Sequence, residues 1–436
     1  MEPGPKRDFS DFNPFSLKES GSSPPKDRVI LHCDLNNFYA SVECLDKPYL
    51  KNRPVAVCGD PERRHGIVLA KNEPAKRFGI QTGEPLCVAK AKCPAILFLP
   101  AHPASYKEYS QKLRRLYRRY TDQIESFGID ECFLDVTGSL GLFGTGEQIA
   151  NELRTAAKAT TGLTISAGVS FNKTFSKMGS DYKKPDATTL ISRNNYKELL
   201  WPLPVENMLF AGRATAEKLR LFGIHTIGEL ALTPQKVLEK YFGKAGVQLH
   251  AKANGFDPEP VQKDDFLRPP ESIGNSLTCP FDLVSMDEVR PVLFMLCDSV
   301  SARLRRHSLK CRVLVLSVRT NRFENRTHQK ILSEETHLST VLFYNALSLY
   351  EQTKQAGEAL RGLGICAKKL TDENSIQLSF LDGSLERAKK ENLEQTVDRI
   401  RERFGNKILG SALYLTQPEL CSDHPLYRED EPFRHS

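Results

Sequence analysis

The amino-acid sequence predicts an α+β protein of several folded units. Residues 28–189 mix short apolar runs of strand type with amphipathic helix. Residues 190–262 are mostly helical by pattern, and residues 272–371 alternate strand and helix again. At 436 residues the chain exceeds one ordinary domain, and 40% hydrophobic with 26% charged residues is enough apolar material for sizeable cores.

Residues 1–27, rich in Pro, Ser, Gly and charge, read as a disordered leader. Folding is expected to start at Arg28, where Val29-Ile-Leu-His-Cys33 is a buried-strand run ending on Asp34. Between residues 105 and 120, Tyr106, Tyr109, Leu113, Leu116, Tyr117 and Tyr120 recur at helical spacing. Lys112, Arg114, Arg115, Arg118 and Arg119 stand largely between them, so this helix has one solvated basic face. Strand runs follow at Gln123–Phe127 and Cys132–Val136, with Gly128 near the turn between them. Another strand, Leu163–Val169, precedes a helix containing Lys173 and Lys177. The charged, proline-bearing stretch 263–271 reads as a linker. Beyond it come strand runs Arg312–Arg319 and Lys330–Leu338, with helical runs Met286–Arg305 and Thr340–Gln355. No tandem repeat is found.

Composition excludes several classes. The N-terminus has no apolar run of signal-peptide length, and no stretch approaches the ~20 apolar residues of a membrane span. Eleven cysteines without a C-x-x-C pair argue against a disulfide framework or a zinc site, and a reducing cytoplasm is expected. The net charge of +7 is modest, but residues 301–330 carry nine Lys/Arg against the single acid Glu324, a local bias towards a polyanion.

The chemistry lies in acids at strand ends. Asp34 closes one strand, and Asp130-Glu131 stand where a hairpin begins its second strand. Carboxylates near a core are costly unless a cation compensates them. Two Mg²⁺ ions roughly 3.5–4 Å apart need about three such carboxylates converging from different strands. A generic Asp-Glu pair more often caps a turn or sits on a solvated sheet edge, so the surrounding runs decide. Asp34-Leu-Asn-Asn-Phe-Tyr-Ala-Ser-Val-Glu43 and Phe127-Gly-Ile-Asp-Glu-Cys-Phe-Leu-Asp135 closely resemble the two catalytic motifs of the Y-family DNA polymerases, the bacterial DinB type most of all.

The resemblance spans roughly residues 28–415 and implies a right-hand polymerase with palm, small fingers, helical thumb and an α/β little finger. It implies a palm at 28–37 and 102–189, fingers at 38–101, a thumb at 190–262, a little finger at 272–371 and a C-terminal segment at 372–436. It implies that Asp34 and Asp130 hold two Mg²⁺ ions, with the Leu35 carbonyl as a further ligand and Glu131 on the metal that activates the primer 3′-hydroxyl. Adjacent strand residues point to opposite faces, so the hairpin must be irregular if Asp130 and Glu131 are both to reach metal. Tyr39 resembles the steric gate against a 2′-hydroxyl, while Phe38 reads as core. Lys184 in Tyr-Lys-Lys-Pro-Asp and Lys76 in Asn-Glu-Pro-Ala-Lys match triphosphate-binding positions. Glu73 replaces a tyrosine and Asn36 an acid common in relatives, so Glu73 reads as an exposed acid. Asp135 has no matching role and reads as structural.

Phe210-Ala-Gly212-Arg213-Ala-Thr-Ala-Glu-Lys-Leu with Phe222-Gly-Ile resembles a DNA-binding helix-hairpin-helix, although Ala214 stands where its second glycine is usual. Arg312, Arg319, Arg322 and Arg326 would neutralise duplex phosphates. Gln377, Leu378, Phe380 and Leu381 resemble the peptide with which bacterial polymerases dock on the sliding clamp, or else form an ordinary edge strand. The implied partners are primer-template DNA, deoxyribonucleoside triphosphates and the bacterial sliding clamp. The implied state is a monomer off the membrane, and the implied activity is low-fidelity translesion synthesis. A palm-type nucleotidyl cyclase and a DNA-binding scaffold with an inactive palm are the rival readings. Tyr39 and residues 190–371 argue against the first, and the presence of all three acids argues against the second.

Overall fold

A computed structural model describes residues 27–59, 66–263, 269–355, 357–372 and 384–421. Nearly all of the leader, much of the linker and the candidate clamp peptide at 377–381 lie outside the described residues. The described elements in chain order begin with β1 (Ile30–Leu35), α1 (Phe38–Cys44), β2 (Val55–Cys58), β3 (Val68–Lys71), α2 (Glu73–Lys76), α3 (Leu86–Lys92), β4 (Leu97–Pro100) and α4 (Pro103–Tyr117). The next are β5 (Ile124–Ser126), β6 (Glu131–Asp135), α5 (Leu140–Phe143), α6 (Gly146–Thr161), β7 (Ile165–Ser170), α7 (Lys173–Tyr182) and β8 (Thr188–Ile191). Helices α8 (Tyr196–Leu200), α9 (Arg213–Leu221), α10 (Ile227–Leu232) and α11 (Gln235–Ala253) precede β9 (Ser272–Leu283), α12 (Met286–Arg306), β10 (Leu309–Thr320) and β11 (Asn325–Thr336). The last described elements are α13 (Ser339–Thr353), β12 (Leu360–Asp372), α14 (Ser384–Phe404) and α15 (Pro418–Cys421). Strands β5-β6-β1-β7-β8 make one sheet in that order, β11-β10-β12-β9 a second and β3-β2-β4 a third.

The chain divides into two compact units: residues 1–33, 133–152 and 166–261, and residues 34–132, 153–165 and 262–436. In the first, β7 and β8 run parallel, and α7 makes the crossover between them. Gly168 lets α7 approach β7 backbone to backbone, because a Cβ there would stand 1.9 Å from the Ser176 carbonyl oxygen. Helices α8–α11 close around a core that includes Phe175, Leu200, Leu219, Ile227, Leu238 and Leu249. Thr226 and Glu229 form a reciprocal capping box on α10, and α11 breaks at Gly243, whose φ is 60°. Asp257 accepts from Thr174 N–H at 3.1 Å and Thr174 Oγ1 at 2.6 Å, with Lys252 Nζ at 3.3 Å. Asp27, the last residue of the expected leader, is gripped by both arms of Arg193, each at 2.7 Å.

In the second unit, β2 pairs antiparallel with β3 and parallel with β4 over a small core of Ala56, Val68, Ala75, Ile80, Ala89, Cys93 and Ile96. Helix α4 buries Tyr106, Leu113, Leu116 and Tyr117 of the expected stripe, and Tyr120 just beyond it is buried too, while Tyr109 is half-buried and Ser110, which the spacing did not indicate, is buried. The four-stranded sheet is antiparallel throughout, and α12 and α13 contribute Val292, Leu296, Val300, Leu342 and Leu349 to the core it shares. Strand β11 begins at Asn325, earlier than the apolar run suggests, because at the sheet edge polar side chains alternate between half-buried and exposed. Tyr414, Leu420 and Cys421 belong to the same core, so the chain beyond α14 completes this region. Helix α14 is tied down by charge: Arg305 reaches Glu394 and Asp398, Lys310 lies 3.2 Å from Glu391, and Arg401 Nη2 lies 3.0 Å from Asp298.

Candidate active site

The acids sit where β1 ends and β6 begins. All six residues of β1 are buried, and Asp34 near its end is 4% exposed. Residues Phe127–Asp130 bend between β5 and β6; Phe127 N–H donates to the Glu131 carbonyl at 3.0 Å, and Leu35 N–H donates to the Asp130 carbonyl at 3.2 Å. That second bond places Leu35 beside Asp130. Asp130 precedes the first pleated residue of β6, so strand alternation does not force it and Glu131 apart. Asn36 fixes the turn after β1, its N–H donating to the Thr164 carbonyl at 3.0 Å and its side-chain amide to Thr164 Oγ1 at 3.1 Å.

Carboxylate and carbonyl oxygens are the donors a hard divalent cation takes. Among the described residues no group of three or more His, Cys, Asp or Glu side chains stands close enough together to hold a metal ion by itself. Mg²⁺ usually takes only one or two carboxylates, with water and substrate phosphate completing its shell. Asp34, Leu35, Asp130 and Glu131 carry oxygen donors of the chemical kind such an ion takes. Asp135 stands apart as a turn-former: its Oδ1 accepts from Thr137 N–H at 3.0 Å and Thr137 Oγ1 at 2.5 Å.

Tyr39, on α1, stacks on Tyr106 of α4 with ring centroids 4.1 Å apart and planes 11° from parallel. The Tyr106 hydroxyl donates to Glu43 Oε1 at 2.7 Å and accepts from His102 N–H at 3.0 Å; His102 Nδ1 lies 2.9 Å from the same Glu43 oxygen. Burial, then the Glu43 carboxylate at its hydroxyl, pushes the Tyr106 phenol far above its usual range, which keeps it a donor. Sequence reasoning placed Tyr106 only in a helix stripe. Nothing in its spacing signals the contact with Tyr39.

Lys76 and Glu73 pair at 2.8 Å on α2, and Glu73 also accepts from Asn37 Nδ2 at 3.0 Å. Burial alone would raise the Glu73 pKa, but the bonds from Lys76 and Asn37 outweigh it and hold the carboxyl below its usual range. Lys184 belongs to the first unit, where it pairs with Asp181 at 2.6 Å.

Gly212 caps α9 with open space at its Cβ position, and Arg213 pairs with Glu217 at 2.8 Å while its side chain stays 91% exposed. The β10–β11 register sets Arg319 opposite Asn325 and Val318 opposite Arg326, so Arg319, Arg322 and Arg326 gather at one end of the hairpin. Arg312 lies towards the other end and donates to the Ser333 carbonyl at 2.7 Å. The Arg319 guanidinium lies 5.2 Å from the Phe323 ring, and Arg326 is held by Glu358.

A family model described as the impB/mucB/samB family matches residues 33–181, and its C-terminal domain matches residues 270–380. The chain is 45% identical over 379 residues to DNA polymerase IV of Acetivibrio thermocellus, covering 87% of this chain and 95% of that one. It is 36% identical to DNA polymerase IV of Pelotomaculum thermopropionicum, covering 89% of this chain and 95% of the relative. Its fold is similar to that of a Y-family DNA polymerase chimera, with a TM-score of 0.69 at 22% identity over 79% of this chain and 99% of the chimera.

Proposed function

The chain belongs to the Y-family DNA polymerases, in their polymerase IV group, and from that premise we infer a translesion DNA-directed DNA polymerase. It extends a primer 3′ end with deoxyribonucleotides under the direction of a template and depends on a divalent metal ion. The observation that carries the reading of the site is the Leu35–Asp130 backbone bond, which joins the two acid-bearing strand ends. Asp34 and Asp130 would hold the metals, the Leu35 carbonyl would add an oxygen, and Glu131 would serve the metal that activates the primer 3′-hydroxyl. Two Mg²⁺ ions bound there would ease deprotonation of the 3′-hydroxyl and steady the departing pyrophosphate.

The chain's own side chains do the rest. The Tyr39 ring occupies the space a ribose 2′-hydroxyl would need. Lys76 and Lys184 offset triphosphate charge as point charges without a bidentate fork. Gly212 presents backbone to a DNA phosphate, and Arg213 with Arg312, Arg319, Arg322 and Arg326 neutralises others. Low fidelity follows from a weak lid. Within residues 38–101 no described helix exceeds the seven residues of α1 and α3, so little protein closes over a mispair.

Gln377, Leu378, Phe380 and Leu381 dock on the bacterial sliding clamp, and the enzyme works as a monomer. Eleven free thiols suit a reducing cytoplasm, and among the described residues no helix is long and apolar enough to cross a membrane. Primer extension with Mg²⁺ on undamaged and abasic templates tests the function: the reading expects synthesis past the abasic site, and arrest there on every template contradicts it. Tyr39→Ala should admit ribonucleotides, and an unchanged preference for deoxyribonucleotides would place the gate elsewhere.

A further inference from the structure

We propose that Glu43 is a positioning residue for sugar selection, locking Tyr106 against the back of Tyr39 so that the gate cannot recede from the incoming nucleotide. The proposal rests on Tyr39 being the gate. Tyr39 and Glu43 are four residues apart on α1 and therefore share one helix face. Tyr106 fills the space behind that face, 1% exposed, its ring nearly parallel to that of Tyr39 at 4.1 Å. A ring in van der Waals contact yields only if the ring behind it yields.

The Tyr106 ring is pinned at its far end. Its hydroxyl is held between Glu43 Oε1 at 2.7 Å and the His102 backbone N–H at 3.0 Å. Glu43 is 8% exposed, and a carboxylate so buried is costly unless its oxygens are hydrogen-bonded. Here the oxygen that holds Tyr106 also meets His102 Nδ1 at 2.9 Å, so one acceptor fixes the start of α4 and the aromatic support together. A charge-assisted bond to a phenol is short and directional. It therefore fixes the plane of Tyr106, and through stacking the depth of Tyr39.

A purely structural role, in which Glu43 only joins α1 to α4, would affect both sugar classes alike. The test is single-nucleotide insertion by the full-length enzyme in Mg²⁺, measuring kcat/KM for matched ribo- and deoxyribonucleotides. Glu43→Leu and Tyr106→Phe should each raise the ribo-to-deoxyribo ratio about tenfold, the scale of displacing a positioning contact by a fraction of an ångström. Glu43→Gln keeps an acceptor for the hydroxyl and should stay within about twofold of wild type. In a Tyr39→Ala background, Glu43→Leu should add nothing, because the two act as one unit.

An unchanged ratio in Glu43→Leu, or an equal effect with and without Tyr39, overturns the proposal. Tyr39→Ala alone reads the gate: if that variant discriminates like wild type, the gate assignment has failed first. Should Glu43→Leu not fold, Tyr106→Phe decides alone, since it keeps the ring and removes only the hydroxyl.

Discussion

Replacing Arg401 by leucine would leave the Asp298 carboxylate stranded between α12 and the C-terminal segment. The Arg401 and Asp298 side chains are only 8% and 10% exposed, joined at 3.2 Å and 3.0 Å through the two terminal guanidinium nitrogens, and Arg401 Nε also donates to the Leu409 carbonyl at 3.0 Å. Burial works against the Arg401 charge, but Asp298 more than offsets it and raises the Arg401 pKa. Removing one member of a buried pair costs about 3–5 kcal/mol. Asp298 keeps the Tyr414 hydroxyl at 2.9 Å, so the lower end, about 3 kcal/mol, is expected. For a region of this size that corresponds to a melting shift of roughly 10 °C. The assay is urea unfolding of the full chain, with proteolysis of residues 384–421 as a local readout. Replacing both partners, Arg401→Met with Asp298→Leu, should recover most of the loss, because no charge is then left buried. A single variant within about 1 kcal/mol of wild type would refute the claim that the C-terminal segment completes this region.

Asp257→Asn should destabilise the first unit by about 2–4 kcal/mol near neutral pH, measured by chemical denaturation. Burial alone would raise the Asp257 pKa, but Thr174 and Lys252 overcome it and hold the folded-state value below the usual range. The carboxylate therefore stabilises the fold above the ordinary carboxylate range, and this contribution is lost as pH falls through the depressed value. The gap between wild type and Asp257→Asn should narrow in acid, and a gap constant with pH would be inconsistent. Gly168→Ala should cost more than about 3 kcal/mol, since its Cβ would collide with backbone of α7 that cannot swing aside; a normal melting temperature would count against the close packing. Glu73→Gln should lower the KM for deoxyribonucleotides about two- to fivefold by freeing Lys76 from an exposed ion pair, and an unchanged KM would argue against a triphosphate role for Lys76.

The sequence revealed elements wherever one face is apolar. The stripe of α4, the runs behind β1, β6 and β7, and the extents of α12 and α13 could all be read from periodicity because burial imposes it. Edge and polar elements were less legible. Strand β11 extends into polar sequence because only one partner strand demands its backbone. Helix α14 is polar in sequence, yet Glu391, Glu394, Asp398 and Arg401 dock it through charge, and charge carries no periodic signature of its partner. At the site, the acids and Tyr39 stood out through the runs around them. The Glu43–Tyr106 bond joins residues 63 positions apart, and only the packing of α1 on α4 brings them together.

We propose Asp34, Asp130 and Glu131 as the metal-holding acids of this polymerase. The most direct measurement pairs Mg²⁺-dependent primer extension with primer-template binding for Asp130→Ala and Glu131→Ala. Extension should be abolished while DNA affinity stays near wild type, because metal-holding acids act on the transferring phosphoryl and leave the DNA grip intact. Near-normal extension by either variant would contradict it.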